Sequence, residues 1–253
     1  MKSVIYKNKF GLKSAHIWFK NTLNEGENAD IIKAFGVSSN LKNGIKKEQN
    51  TLIINLKDNE DVIYNNINKT VRYEINRCEK ENIKFEFYDS SMLKNNSEIV
   101  SKFKDCYDNM YKAKGLDTFL NINDFNKYID SNLLVLTIAV DNENEELAYH
   151  VYVVTDEKVR LLYSCSNFRS DSSKKSLIGR ANKYLHWKDI LKFKQENKIE
   201  YDFGGINSFT DPNGIDKFKL AFGGEQRKYY NVIYGNSFLG KILVFLYKLK
   251  GNK

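Results

Sequence analysis

Leu133–Val140, LLVLTIAV, is apolar on both of its faces when read as a strand. Such a strand belongs in the middle of a sheet, covered on either side. It therefore argues for an α/β chain in which helices flank a central sheet.

The surrounding sequence supplies those parts. Leu52–Leu56 is a short β-rich run, and Asp58 to Glu79 carries Val62, Ile63, Ile67, Val71 and Ile75 at helical spacing. Ile83–Tyr88 alternates as a strand. Glu98 to Lys114 reads as a helix with Ile99, Phe103, Tyr107 and Met110 on its apolar side and Gly115 as its C-cap. A short helix follows at Asn123–Ile129. Leu147–Val154 and Val159–Cys165 flank the polar turn Thr155–Lys158 and form a hairpin. Ala181–Asn197 is helical, with Leu185, Ile190, Leu191 and Phe193 to pack, and Glu200–Phe203 is the next strand.

Composition narrows the classes. Of 253 residues, 42% are apolar, with 16 Tyr, 16 Phe and 2 Trp, which excludes a disordered chain. Cys78, Cys106 and Cys165 are too widely spaced for a disulfide framework or a Cys-x-x-Cys metal site, so reduced thiols are expected, and no His/Cys/Asp/Glu group has metal spacing. The start, MKSVIYKNKF, has no apolar stretch of signal-peptide length, and no window reaches the roughly 18 apolar residues that span a bilayer. A cytoplasmic location is the expectation. The formal charge of +8 points to an anionic partner: phosphates, a nucleotide, tRNA or an acidic membrane face.

The chemistry concentrates in Tyr201–Gly224, YDFGGINSFTDPNGIDKFKLAFGG. A strand running into Gly204–Gly205 lets backbone approach a ligand closely. Asp202, at that strand end, is a candidate to take a proton from an attacking amine, or else it pairs with a nearby lysine. Phe218 and Phe222 lie one helical turn apart, with Lys219 at the edge of their face. A lysine there is suited to a phosphate or an acyl oxyanion. His150, in AYHVYVV beside Tyr152, and His186, in the helix after Leu185, are candidate general bases; His16, beside Trp18, is expected to be structural. Cys165 reads as a buried structural thiol.

These residues carry a resemblance. YDFGGI, a short loop, GIDKFK and then FGG resemble the C-terminal segment of the FemA/FemB/FemX peptidoglycan-bridge transferases, and TLIINLKDNEDVIYNNINKTVRYEINRCEKENIKFEF resembles an upstream segment of the same group. The likeness extends over residues 50 to 232. It implies a GNAT-like acyltransferase fold with a mixed central sheet: a trimmed first lobe (1–94), a complete second lobe (95–230) and a C-terminal strand and helix (231–253) packing back on the first. It further implies transfer of an acyl or aminoacyl group to an amine of a cell-envelope glycan, peptidoglycan or lipid-linked precursor. By the same resemblance Phe218 and Lys219 are the Phe-Lys pair near the reacting groups; Tyr201, Gly204 and Gly205, at the strand end, are candidate substrate-binding residues.

The donor is either acyl-CoA or aminoacyl-tRNA. Ser176, Gly179, Arg180 and Ala181 sit where CoA-dependent GNAT enzymes place Gln/Arg-x-x-Gly-x-Gly/Ala, whose free N–H groups at a helix start hold pyrophosphate. Ser176 replaces the Gln/Arg, while Gly179 and Ala181 fit. The helical arm of several bridge-forming members is missing, which favours CoA. Ser237–Leu249, SFLGKILVFLYKL, is apolar with Lys241 and Lys248 a heptad apart; it either packs on the first lobe or lies at a membrane interface. A second functional reading is a non-catalytic GNAT-like module that binds RNA or a glycolipid.

Overall fold

The computed structural model describes residues 3–8, 10–20, 28–37, 44–166 and 174–251. In chain order the elements are β1 (Val4–Lys7), β2 (Lys13–Trp18), β3 (Ile31–Val37), β4 (Ile45–Asn55), α1 (Glu60–Asn66), α2 (Lys69–Lys80), β5 (Lys84–Asp89), α3 (Ser90–Lys94), α4 (Ser97–Ala113), α5 (Ile122–Asp130), β6 (Leu134–Val140), β7 (Glu146–Val154), β8 (Lys158–Ser166), α6 (Lys175–Gln195), β9 (Glu200–Ile206), α7 (Gly214–Leu220), β10 (Glu225–Gly235) and α8 (Phe238–Gly251).

All ten strands join one mixed sheet in the order β1-β2-β3-β10-β4-β9-β8-β7-β6-β5. β6 is buried at every position, as its sequence requires. Leu134, Leu136, Ile138 and Val140 pack beneath α4 and α5, while Val135 and Ala139 join the opposite core with α2 and α6. On β7 the same alternation sends Tyr149 and Val151 to the first layer and Tyr152 to the second. His150, two residues before Tyr152, therefore faces α6.

Three sequence expectations are corrected. The helix expected over Asp58–Glu79 is two helices, because Ile67 turns to ψ 137 and the Asn68 side chain caps α2 by accepting from the Thr70 N–H at 2.9 Å. α6 starts at Lys175, six residues before Ala181. The strand expected at Leu52–Leu56 begins at Ile45; its polar first half is exposed and is held by pairing with β10. As to domain limits, β5 pairs with β6, so a division at residue 94 separates two neighbouring strands. β10 lies between β3 and β4, and α8 packs on β10 and β3.

The feature that positions the site is the junction of β8 and β9. They run parallel and pair only through Lys158–Arg160 with Glu200–Asp202. Beyond that, β8 stays with β7, and β9 follows β4 to the Asn50–Ile206 pair. Gly204 sits where they part, at φ +74; a Cβ there would fall 2.8 Å from the Leu161 carbonyl oxygen. Only glycine meets both conditions without strain.

Candidate active site

A cleft of about 460 Å³ opens beside the parting strands. Leu161 and Ser164–Ser166 of β8 form one wall, Gly179, Asn182, Lys183 and His186 of α6 another, and Phe218 and Lys219 of α7 a third. Met110 and Lys114, at the end of α4, stand at its margin.

Behind the α6 wall lies a buried chain of polar side chains. Asp189 accepts from the Tyr152 hydroxyl at 2.5 Å, and the same oxygen contacts His150 Nδ1 at 2.7 Å. Since the Tyr152 proton is committed to a carboxylate, the Tyr201 hydroxyl, 2.7 Å away, donates to the Tyr152 oxygen. The Tyr201 oxygen then accepts from His186 Nδ1 at 2.6 Å. This order of donors places the His186 proton on Nδ1 and leaves a lone pair on Nε2. Among the described residues Nε2 has no hydrogen-bond partner, and His186 borders the cleft. Burial first, then the nearby His150 and Lys219, hold the His186 pKa well below its usual 6.5. The ring is therefore neutral, and Phe203, Phe218 and Phe222 surround it with centroids 4.9, 5.5 and 5.3 Å away. His150 Nε2 reaches Asn182 Oδ1 at 2.7 Å, linking the chain to a second cleft residue.

His150, His186 and Asp189 bring their ligand atoms within 4.8 Å of one another. The 2.7 Å between His150 Nδ1 and Asp189 Oδ2 is hydrogen-bond spacing. Two ligands around a tetrahedral zinc sit about 3.3 Å apart. The cluster is arranged around protons.

Lys219 enters from α7. That short helix is fixed by a capping box between Asn213 and Asp216, and the buried Asp216 also accepts from the Asn207 and Ser208 N–H groups, tying down the preceding loop. Lys219 Nζ donates to the Gly205 carbonyl at 2.7 Å. Burial lowers its pKa from 10.5 to about 8 against the favourable pull of Asp202 and Asp216. Below that pH it is a poorly solvated cation with N–H groups to spare.

Of the residues expected at the site, His186, Phe218, Lys219 and Gly179 border the cleft. Several others do not. Asp202 is buried: it accepts from the Gly204 N–H at 2.7 Å and from the Thr51 hydroxyl, and its second oxygen lies 3.7 Å from Arg160 Nε. That set of partners braces the strand junction, and the cation beside it is an arginine. Tyr201 is wholly buried as a link in the polar chain, so it cannot touch a substrate. Gly204 and Gly205 shape the junction, and the Gly205 carbonyl anchors Lys219. His150 is buried one layer behind the cleft. Arg180 bonds Ser176 Oγ at 2.7 Å and Glu81 at 3.0 and 3.1 Å, turning both Arg180 and Ser176 toward α2, and Ala181 is buried. Because α6 begins at Lys175, Ser176 to Ala181 lie inside the helix. The N–H groups ahead of its first internal bond, Ile178 N–H to the Lys174 carbonyl, belong to Lys175, Ser176 and Leu177.

Cys165 turns its thiol to the Phe103 carbonyl in the core, and burial keeps it protonated. His16 bridges the Tyr6 and Tyr128 hydroxyls at 2.9 and 2.8 Å, a structural tie between β2 and α5. Asn182, Asp189 and Tyr152 complete the network yet stand out poorly in sequence. The available signal was spacing: 182, 186 and 189 share a helix face that meets 150 and 152 on one strand face.

No protein-family model matches the chain, and no curated protein sequence does. Solved structures do. FemX superposes with a TM-score of 0.63 over 96% of this chain and 86% of its own, at 14% identity. L-PGS from Bacillus licheniformis gives 0.55 over 96% and 88%, at 9% identity. The C-terminal DUF2156 domain of a protein described as a lysylphosphatidylglycerol synthetase, from Agrobacterium fabrum, gives 0.56 over 97% and 87%, at 10% identity. At these identities the likeness is one of fold: the chain has the GNAT-like fold of FemX and of the L-PGS domain along nearly its whole length.

Proposed function

We propose that the chain is an N-acyltransferase of the acyl or aminoacyl type, with His186 as general base and Lys219 as the group that stabilises the oxyanion. The observation that carries this reading is the pairing of a neutral imidazole, its Nε2 lone pair unengaged, with a half-buried lysine on the facing wall of one cleft. Attack of a primary amine on an activated carbonyl needs both: a base for the proton lost from nitrogen and a positive charge for the developing oxygen anion.

The acceptor nitrogen bonds to the acyl carbon, the carbonyl π pair moves to oxygen beside Lys219 Nζ, and the ammonium proton passes to His186 Nε2. Collapse of the intermediate breaks the C–S bond of a thioester or the C–O bond of an aminoacyl ester. The departing sulfur or oxygen takes the proton back from Nε2. Phe218 and Phe222 exclude water around the ring and limit hydrolysis.

The donor we assign is acyl-CoA or aminoacyl-tRNA. Lys219 on the cleft favours an anionic one, whereas Lys183, also on the cleft, is paired with Glu74. The acceptor we assign is an amine on a cell-envelope glycan, peptide or lipid-linked precursor, as the resemblance to the FemA/FemB/FemX transferases implies. The test is incubation with acyl-CoA and aminoacyl-tRNA panels and amine acceptors, followed by mass spectrometry. Amine-dependent product that disappears in His186→Gln supports the reading. Binding of a donor or of plain RNA without any product supports the non-catalytic module instead.

A further inference from the structure

α8 is built inside out for a helix that only closes a fold. Its root is clamped: the Asn236 N–H and Ser237 N–H donate to the Asp30 carbonyl at 2.7 and 3.3 Å, and Asn236 Nδ2 donates to the Ala29 carbonyl at 3.0 Å. Gly240 lies against that same Asp30 carbonyl, where any Cβ would overlap the oxygen. Gly240 and Val244 are the buried positions of the helix. Its most apolar stripe points the other way. Phe238, Ile242, Phe245 and Leu249, at i, i+4, i+7 and i+11, are 77, 44, 60 and 52% exposed, and Leu239 and Leu246 widen the stripe.

Charge identifies what covers it. Lys241 and Lys248 share the flank of the stripe, are exposed, and form no ion pair among the described residues. No aspartate or glutamate occurs from Gln226 to Lys253. Pairing with a second copy would set lysine against a helix that has no acid to meet it. An anionic bilayer offers hydrocarbon for the stripe and phosphates for the lysines at one boundary. Among the described residues no helix is long and apolar enough to cross a membrane, so α8 lies along the interface.

We infer that α8 docks the protein peripherally on an anionic phospholipid surface, inserting Phe238, Ile242, Phe245 and Leu249 with Lys241 and Lys248 at the headgroups. The inference is independent of the chemistry assigned to the cleft.

Flotation of the full chain with phosphatidylcholine vesicles, with and without phosphatidylglycerol, tests it. Binding to the phosphatidylglycerol vesicles is expected, weakened by salt. Lys241→Gln with Lys248→Gln lowers the partition roughly thirtyfold, two lysines near a charged surface. Phe245→Ser with Leu249→Ser abolishes it without lowering the melting temperature, since both side chains are already exposed. Absence of binding, or binding that both double variants retain, overturns the inference. So does self-association in sedimentation velocity that Phe245→Ser with Leu249→Ser dissolves while vesicles remain unbound; the occupant is then a second copy.

Discussion

Nδ1 of His186 lies 2.6 Å from the hydroxyl oxygen of Tyr201, and that contact decides which nitrogen of the imidazole faces the cleft with a lone pair. Tyr201 is not a substrate contact. It is the last link between a buried carboxylate, Asp189, and the candidate base.

Tyr201→Phe removes the acceptor for the His186 Nδ1 proton and leaves a buried polar group unpaired. A loss of about 1–3 kcal/mol in unfolding free energy is expected by urea titration. Nitrogen NMR of the histidines is the sharper check. The wild type is expected to show His186 protonated at Nδ1, and the variant to shift proton occupancy toward Nε2. A wild-type ring protonated at Nε2 contradicts the donor order.

Lys219→Met separates charge from packing. The lysine gives up its proton at about pH 8 in the folded chain and near 10.5 when unfolded. Between those values the unfolded chain binds more protons, so wild-type stability rises with pH across that window. The methionine variant lacks this slope and is more stable at neutral pH by at most about 3 kcal/mol. Its turnover is expected to fall about a hundredfold or more. Melting curves from pH 7 to 10.5 beside initial rates read both effects.

Asp202→Asn distinguishes brace from base. Losing the carboxylate leaves the buried Arg160 guanidinium without its ion-pair partner, at a cost of about 3 kcal/mol. Turnover measured well below the melting temperature is expected to stay within about tenfold of wild type, short of the loss typical of a general base. A drop of several hundredfold with the fold intact restores Asp202 to the chemistry.

Acid acts through the histidines. His16 titrates at about 4 and His186 well below 6.5, both chiefly because of burial. Below pH 6.5 the unfolded chain protonates them while the folded chain does not. Stability therefore falls as pH drops from 6.5 toward 4, His16 alone contributing about 3 kcal/mol by the lower end. His16→Asn is expected to flatten part of that slope in denaturant titrations.

Much of the fold was legible because burial on two faces leaves a plain mark: LLVLTIAV reads as a strand covered on both sides, and β6 is one, though it stands next to the edge strand β5 and not in the middle of the sheet. The hairpin of β7 and β8 followed from its polar turn. The start of α6 was not legible, since Lys175–Arg180 is polar on the side that faces solvent and α2, and the glycine at 179 resembles a loop. The Phe218–Lys219 pair stood out by its one-turn spacing with Phe222. The roles of Asp202 and Tyr201 did not, because a carboxylate beside a Gly-Gly turn reads alike whether it faces a cleft or an arginine on the preceding strand. Asp189 was hidden for another reason: only the packing of α6 on β7 brings it to His150, and no local pattern encodes that contact.

The central claim is amine acylation at the cleft between α6 and α7. The most direct measurement is the rate of amine-dependent acyl transfer, by mass spectrometry with acyl-CoA and aminoacyl-tRNA donors, in wild type, His186→Gln and Lys219→Met. Product from the wild type, reduced at least about a hundredfold in each variant at unchanged fold, is the predicted result. Wild-type product formed equally well by both variants, or no product from any donor with saturating amine, contradicts it.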